Sequence, residues 1–392
     1  MSSQPSKNTN MPPTKPIAII GAGLSGLTLS RALRAKGIPS IIYDKGRSDR
    51  RPNYAITLHA WAWRPLARVL GMEYDAFKRA VAVDGAQGGL GALHDSARPE
   101  EGDFRANRGT LEAMLVEGLD VKWEHELSKP EKGDAGYQLH FKNQPDTVPA
   151  DVIVAADGVH STVRSSFLPT HKPDVLPFVT FNSKQRVATS TYNSIYSPAM
   201  AGATTLEMRT GSTLLQISLI GHDDAKGVTQ IGSTYSRPAD QNNDKLHDPS
   251  RSTAGASNIP SELFDELAAL NSLDLPAPFA HAFDVENFKS GRLLHWLMRT
   301  TSVPSNDLKR LAEQNVVLIG DAAHAQPIIG GNGANVAIRD AIELSEWIGE
   351  GKGMEGFVAG RAEEWKEGVE ASRGRIGEMH GIEENGGARS AL

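Results

Sequence analysis

The segment IAIIGAGLSGLTLSRAL, Ile17 to Leu33, constrains the fold more than any other stretch of this chain. Four apolar residues in a row suit a strand that is covered on both faces. Gly21, Gly23 and Gly26 follow in G-x-G-x-x-G spacing, and a helical pattern opens directly behind them. The first glycine makes the turn, the second admits a pyrophosphate against the backbone, and the third lets helix pack on strand. The helix start adds free N–H groups and partial positive charge, so Leu24 and Ser25 join the three glycines as candidate contacts. The next strand, IPSIIYD, ends at Asp44-Lys45, about the distance onward where an acid accepts hydrogen bonds from ribose hydroxyls. A dinucleotide is therefore expected. This motif alone does not choose between NAD and FAD, because both offer ADP to the turn. The Asp44 carboxylate would repel a 2′-phosphate, which disfavours NADP at this position.

Two more apolar runs share the design. Val152–Ala156 ends at Asp157-Gly158, with Ser161 placed to cap a helix and Arg164 one turn into it. Val316–Ile319 ends at Gly320-Asp321, followed by a Pro-Gly loop (Pro327, Gly330, Gly331) and a helix opening near Gly333-Ala334-Asn335. One sheet edge would then carry three carboxylates: Asp44, Asp157 and Asp321. Carboxylates accept from sugar hydroxyls, and FAD offers both a ribose and a ribityl chain, whereas NAD has no ribityl. Glycines at 330, 331 and 333 allow backbone to approach a flat ring. The helix start at Gly333 would favour an anionic reduced flavin, with charge near N1 and O2.

Between these blocks the texture changes. TTLEMRTGSTLLQISLIG and GVTQIGSTY alternate polar with apolar residues, with Thr210-Gly211 as a hairpin turn. The expected fold is α/β: a Rossmann-like FAD-binding domain on a parallel sheet, an inserted, mainly antiparallel substrate domain, and a C-terminal helical segment. The division is 1–15 as a disordered tail, 16–80, 100–172 and 288–348 as the cofactor domain, and 81–99 and 173–287 as the substrate domain. Residues 236–257 read as a mobile surface excursion, and 349–392 as a terminal helix and tail. A net charge of −6 without long single-sign runs argues against a nucleic-acid surface. The chain has no cysteine, which excludes disulfides, thiol redox chemistry and cysteine-bound metal. No H-E-x-x-H or G-x-S-x-G occurs, so neither a metal centre nor a serine hydrolase is expected. No apolar run is long enough for a membrane span and no secretory signal is visible, so cytoplasm is the default expectation.

In order and spacing, the three blocks resemble the class A flavin monooxygenases, the p-hydroxybenzoate-hydroxylase-like family. NRGTLEAML looks like that family's Arg-x-x-Leu-x-x-x-Leu helix, which makes Arg108 the implied flavin or pyrophosphate contact. ITLHAWAW, with Leu58-His59, and Val121-Lys122-Trp123 are similar to tetracycline-degrading members. Asp44 stands where Glu is usual, and Asn332 where the loop often has Gln. The resemblance implies tightly held FAD, transient NAD(P)H, O2 and a small-molecule substrate. NAD(P)H would reduce FAD, O2 would form a C4a-hydroperoxide, and its distal oxygen would pass to an aromatic or electron-rich substrate. Pro327 is implied to face that oxygen. A single G-x-G-x-x-G fits a reductant that visits without a Rossmann unit of its own.

A flavoprotein oxidase or reductase without oxygen insertion, a non-catalytic flavin-binding protein and an NAD dehydrogenase remain as alternatives. No substrate base can be named. Arg186, Arg209, Gln216, His222 and Tyr235 are polar candidates on the inserted sheet, each more simply read as a half-exposed strand residue. His59 and His324 read as structural histidines, and Trp61 and Trp63 as packing.

Overall fold

The computed structural model describes residues 15–49, 53–93, 102–134, 136–240, 243–330 and 332–382. Residues 1–14 of the expected tail, and Gly331, lie outside that description. The strands in chain order are β1 (Ile17–Ile20), β2 (Ser40–Tyr43), β3 (Ala55–Leu58), β4 (Phe104–Asn107), β5 (Val121–Lys122), β6 (Leu127–Gly133), β7 (Gly136–Phe141) and β8 (Val148–Ala150). They continue with β9 (Ile153–Ala155), β10 (Asp174–Ala188), β11 (Thr205–Thr210), β12 (Thr213–Asp223), β13 (Val228–Pro238), β14 (Arg292–Thr300) and β15 (Val316–Leu318). The helices that matter most are α1 (Leu24–Ala35), α2 (Ala60–Val69), α3 (Arg108–Val116), α4 (Gly333–Gly349) and α5 (Met354–Met379).

The three continuous apolar runs become three neighbouring strands of one parallel sheet, ordered β15-β9-β1-β2-β5. Ala18 pairs with both Ile41 and Ile153, and Val154 with Val317, so the strand ends carrying Asp44, Asp157 and Asp321 share one edge. β1, β9 and β15 are buried at every residue, as strands covered on both faces must be. Gly21 holds φ +110°, and a Cβ there would lie 2.3 Å from the Ala156 carbonyl oxygen. At Gly26 a Cβ would lie 2.0 Å from the Gly21 oxygen, so α1 docks on the turn at bare-backbone distance.

The second sheet is antiparallel, ordered β11-β12-β13-β10-β14. One face carries Phe181, Leu215, Ile217, Leu219 and Ile231 into an apolar cluster with helices between 262 and 290. The other face is mostly polar, and it looks toward the parallel-sheet unit. Residues 292–300, grouped with the cofactor segments in the sequence division, pair with β10 and so extend the antiparallel sheet. The hairpin loop is Gly211-Ser212, one residue later than expected, with Thr210 paired to Thr213. The stretch 236–257 is not a free excursion among its described residues. Leu246 is buried, and Arg237 grips Asp244 and Glu266 at 2.6 Å each, which packs the segment onto the sheet. The short β3–β4 ribbon lies between the two sheets. The C-terminal segment is one helix, α5, which follows α4 after a break at 350–353; the expected tail beyond residue 382 lies outside the described residues.

Candidate active site

At the parallel sheet's edge the glycine turn, Asp44 and Asp157 come together. The Asp44 carboxylate accepts the Ala22 N–H and the Gly46 N–H, both at 2.6 Å, which fixes it beside the turn with lone pairs to spare. Lys45 is exposed. Leu24 packs into the core, so its only polar offering is the backbone at the start of α1. Asp157 departs from the sequence picture: its Oδ2 accepts the Thr162 and Val163 N–H groups at 2.7 and 3.3 Å and caps a short helix. Its Oδ1 is buried without a partner among the described residues, as is Ser25 Oγ. Burial pushes the Asp157 carboxyl above its ordinary range, against the pull of its hydrogen bonds. Ser161 caps the same helix by accepting the Arg164 N–H, and Arg164 donates to the Ala322 carbonyl at 2.8 Å, tying the second block to the third.

Arg108 reaches toward both the glycine turn and Asp321. The Arg108 guanidinium would be 3.8 Å from a Cβ on Gly23, and it pairs with Glu112 at 2.8 Å and with the Tyr54 hydroxyl. Leu111 and Leu115, at the spacing predicted for this helix, are fully buried and seat it. Asp321 stands at the mouth of α4, 3.4 Å from where a Cβ on Gly333 would be. Burial raises its carboxyl pKa, while His324, Arg108 and Arg164 pull it down. A carboxyl oxygen acceptor with two arginines nearby suits hydroxyl-bearing chains.

Asp321 lines a cavity of about 460 Å³ between the two sheets. The Pro-Gly loop forms one side, with Pro327, Gly330, Gly333, Ala334 and Asn335 on its wall. Asn182, Gln216, Ser218 and Thr234 from the antiparallel sheet face it. Of the sequence candidates on that sheet only Gln216 lines the cavity. His222 bonds Thr229, and Tyr235 points into the apolar cluster with its hydroxyl on Glu266 at 2.5 Å, because alternate residues of a strand face opposite ways. Arg186 and Arg209 do not line it. Asn335 is a clamp: its Oδ1 accepts the His59 N–H at 2.8 Å, and its Nδ2 donates to the Thr57 carbonyl at 2.9 Å. His324 is sealed as expected, 1% exposed against Asp340. Trp63 is likewise buried packing. His59 is not sealed; its ring lines the cavity.

Sequence reasoning missed Tyr54, Arg105, Asp103 and the whole contribution of α5. Gln326 Oε1 accepts the Asn332 N–H at 2.6 Å and the Ser372 hydroxyl at 2.9 Å, so α5 braces the loop, and Arg375 and Met379 complete the wall. Arg105 donates at 3.0 Å to Thr57, Ala55 and Ser218, bridging the ribbon to the antiparallel sheet, and burial lowers its pKa to about 10.

A family model described as an FAD binding domain matches residues 14–195 and 292–351. The FAD-dependent monooxygenase adaC of Aspergillus niger is 32% identical over 399 residues, covering 94% of this chain and 94% of the relative. The FAD-dependent monooxygenase vrtH of Penicillium aethiopicum is 32% identical over 397 residues, covering 94% and 93%. Among solved structures, 2,6-dihydroxypyridine-3-hydroxylase from Arthrobacter nicotinovorans superposes with TM-score 0.71 at 18% identity, over 97% of this chain and 96% of that one. The tetracycline destructase Tet(55) gives 0.64 at 18% identity, over 94% and 89%. No helix among the described residues is long and apolar enough to cross a membrane. With the parallel sheet, a family model matching more than half of its residues and relatives matching along nearly their whole length, the chain belongs to the class A FAD-dependent monooxygenases.

Proposed function

We propose that the protein takes reducing equivalents from NAD(P)H and places one oxygen atom of O2 into an aromatic or otherwise electron-rich small molecule. The observation that carries this reading is that Arg108 stands between the glycine turn at Gly23 and Tyr54, which together with Asp321 lines the inter-sheet cavity. The chemistry fits FAD: no room for a Cβ at Gly21 or Gly26, three strand-end carboxylates, and buried polar atoms on Ser25 and Asp157 left without partners among the described residues. Bound FAD supplies the redox and oxygen chemistry.

The chain's own residues do the rest. Backbone of Gly21, Gly23, Leu24, Ser25 and Gly26 receives the pyrophosphate, with Arg108 beside it, while Asp44 and Lys45 meet the ribose end. Asp157 supplies a buried acceptor, and Asp321 takes the ribityl hydroxyls. Gly320 holds the turn that aims Asp321. Amides opening α4 at Gly333, Ala334 and Asn335 face the ring's anionic edge. The loop Pro327–Gly330 shapes the face where substrate lies. Walls from both sheets and α5 limit water, which would otherwise divert oxygen into peroxide. The division into a discontinuous cofactor unit and an inserted substrate unit follows the same logic. The polar cavity wall suits a flat, hydroxylated ring, in keeping with relatives named for a dihydroxypyridine and a tetracycline.

The test is incubation of FAD-loaded protein with NADH or NADPH, ¹⁸O2 and a panel of phenols and fused-ring hydroxyaromatics. One labelled oxygen per product molecule is expected. NAD(P)H oxidation that yields only peroxide with every compound would reject oxygen insertion.

A further inference from the structure

The cavity holds an Asp–His pair that the reading above does not use. His59 follows β3 and precedes α2, and its ring lies between acceptors from two distant parts of the chain. Nδ1 is 2.5 Å from Asp103 Oδ2, and Nε2 is 2.9 Å from Asn332 Oδ1. Asp103 is fixed independently, because its other oxygen accepts the Ala60 N–H at 2.8 Å. Asn332 directly precedes Gly333, where the amides of α4 begin. The ring is stacked on Trp61 with 8° between planes. Even so, the His59 side chain keeps 23% of its exposure, on the cavity side.

This arrangement accommodates two protonation states. An imidazolium donates to both acceptors. A neutral ring with its proton on Nδ1 needs a donor at Nε2, and Asn332 provides one when its amide turns over. The charged groups around the pair are Arg64 and Lys78 behind Asp103, and Arg105, Asp321 and Arg375 on the cavity wall. Histidine is the side chain among these that ordinarily changes charge near neutrality.

We propose that His59 is a positioning residue for the cofactor, whose protonation is coupled to reduction of bound FAD. This rests on the FAD reading of the site. The reductant supplies two electrons, and one proton is gained at flavin N5, as a hydride when NAD(P)H is the donor. One negative charge is left on the ring edge beside α4. The second proton, from solvent, is held on His59 Nε2, so two electrons and two protons are taken up while the flavin carries only one of them. Asp103 keeps the ring in register.

The experiment is a dye-equilibrated reduction of FAD-loaded protein by dithionite, from about pH 6.5 to 8.5, on wild type, His59→Gln and His59→Lys. Wild type should take up one more proton per two electrons than His59→Gln. The Gln variant should lower the reduction equilibrium constant about tenfold, roughly 30 mV for a two-electron couple. The Lys variant carries a fixed charge and should restore that constant without restoring the extra proton. Equal proton uptake in wild type and both variants overturns the proposal. If neither variant retains FAD, the wild-type slope decides: a single proton per two electrons throughout overturns it. Failure of wild-type protein to bind FAD would instead reject the cofactor reading, and absorbance at the flavin band tells the two failures apart.

Discussion

Replacing Asp340 by Asn should loosen the joint between α4, α5 and the loop that carries Asp321. Oδ2 of Asp340 accepts the Gly320 N–H at 3.1 Å and His324 Nε2 at 2.6 Å. Oδ1 accepts Trp365 Nε1 at 2.8 Å and Arg361 Nη2 at 3.0 Å. The side chain is fully buried and that of Arg361 is 6% exposed. Burial alone would raise the Asp340 carboxyl; His324, Arg361 and Trp365 outweigh it and hold the pKa below the ordinary range. Its stabilising contribution is therefore present above the unfolded carboxyl value and is lost as pH falls through the lower folded one.

An asparagine turns an NH2 toward two of the four donors and removes the charge facing Arg361. Breaking a buried pair in this way costs about 3–5 kcal/mol. Unfolding entropy of about 2.1 cal/mol/K per residue over 392 residues is ~0.8 kcal/mol/K, so ~4 kcal/mol lowers Tm by ~5 °C. Calorimetry of wild type, Asp340→Asn and the Asp340→Leu/Arg361→Met pair at neutral pH checks this. The double variant should recover at least half of the loss, because it leaves no enclosed cation. A single variant within about 1 °C of wild type would refute the reasoning, since no hub would then be at work.

Asp321→Asn should weaken FAD binding about 10- to 100-fold, the effect of losing a charge-assisted acceptor for a hydroxyl; fluorescence titration of apoprotein measures it, and unchanged affinity removes Asp321 from the cofactor site. Gly26→Ala should abolish FAD uptake, because its Cβ would stand 2.0 Å from the Gly21 oxygen; a variant isolated yellow at full stoichiometry contradicts that packing. His295 is 3% exposed, and burial holds its pKa at about 4. A histidine pKa depressed on folding stabilises the protein above the unfolded value near 6.5 and loses that contribution as pH falls toward 4. Urea midpoints at pH 7 and pH 5 should therefore show ~2 kcal/mol more loss in wild type than in His295→Phe, and parallel losses would argue against it.

The parallel sheet was legible because burial on both faces leaves a local trace, an unbroken apolar run ending in Gly or Asp. Asp44 and Asp321 were legible for the same reason, since strand ends locate them. Asp157 was only half legible: whether its oxygens face a ligand or cap the following helix depends on where Thr162 turns, which no spacing encodes. The cavity face of the antiparallel sheet was nearly readable. Gln216 and Ser218 are two apart on β12 and Asn182 pairs with Thr234 across β10 and β13, a period-two polar stripe opposite the apolar one. The partners of His59 lie 44 and 273 residues away in sequence, and contacts of that separation have no local signature.

The long reach of α5 explains how the cavity is held between the two sheets. At one end α5 holds Asp340 through Arg361 and Trp365, and further along it holds Gln326 through Ser372. In its last turns Arg373 binds Asp174 and Thr300, and His380, just past its end, is 3.0 Å from Ser236, all on the antiparallel sheet. Ile376 packs with Phe178, Leu214 and Met298 from that sheet and with Ile329 from the Pro-Gly loop. A single helix thus measures the distance between the loop that would support the flavin and the wall that would support the substrate. Side-chain truncation at Ser372 or Arg373 changes that distance without touching either ligand. Such changes are expected in the fraction of reducing equivalents lost as peroxide before they are expected in FAD affinity, because water exclusion depends on the gap and nucleotide binding does not.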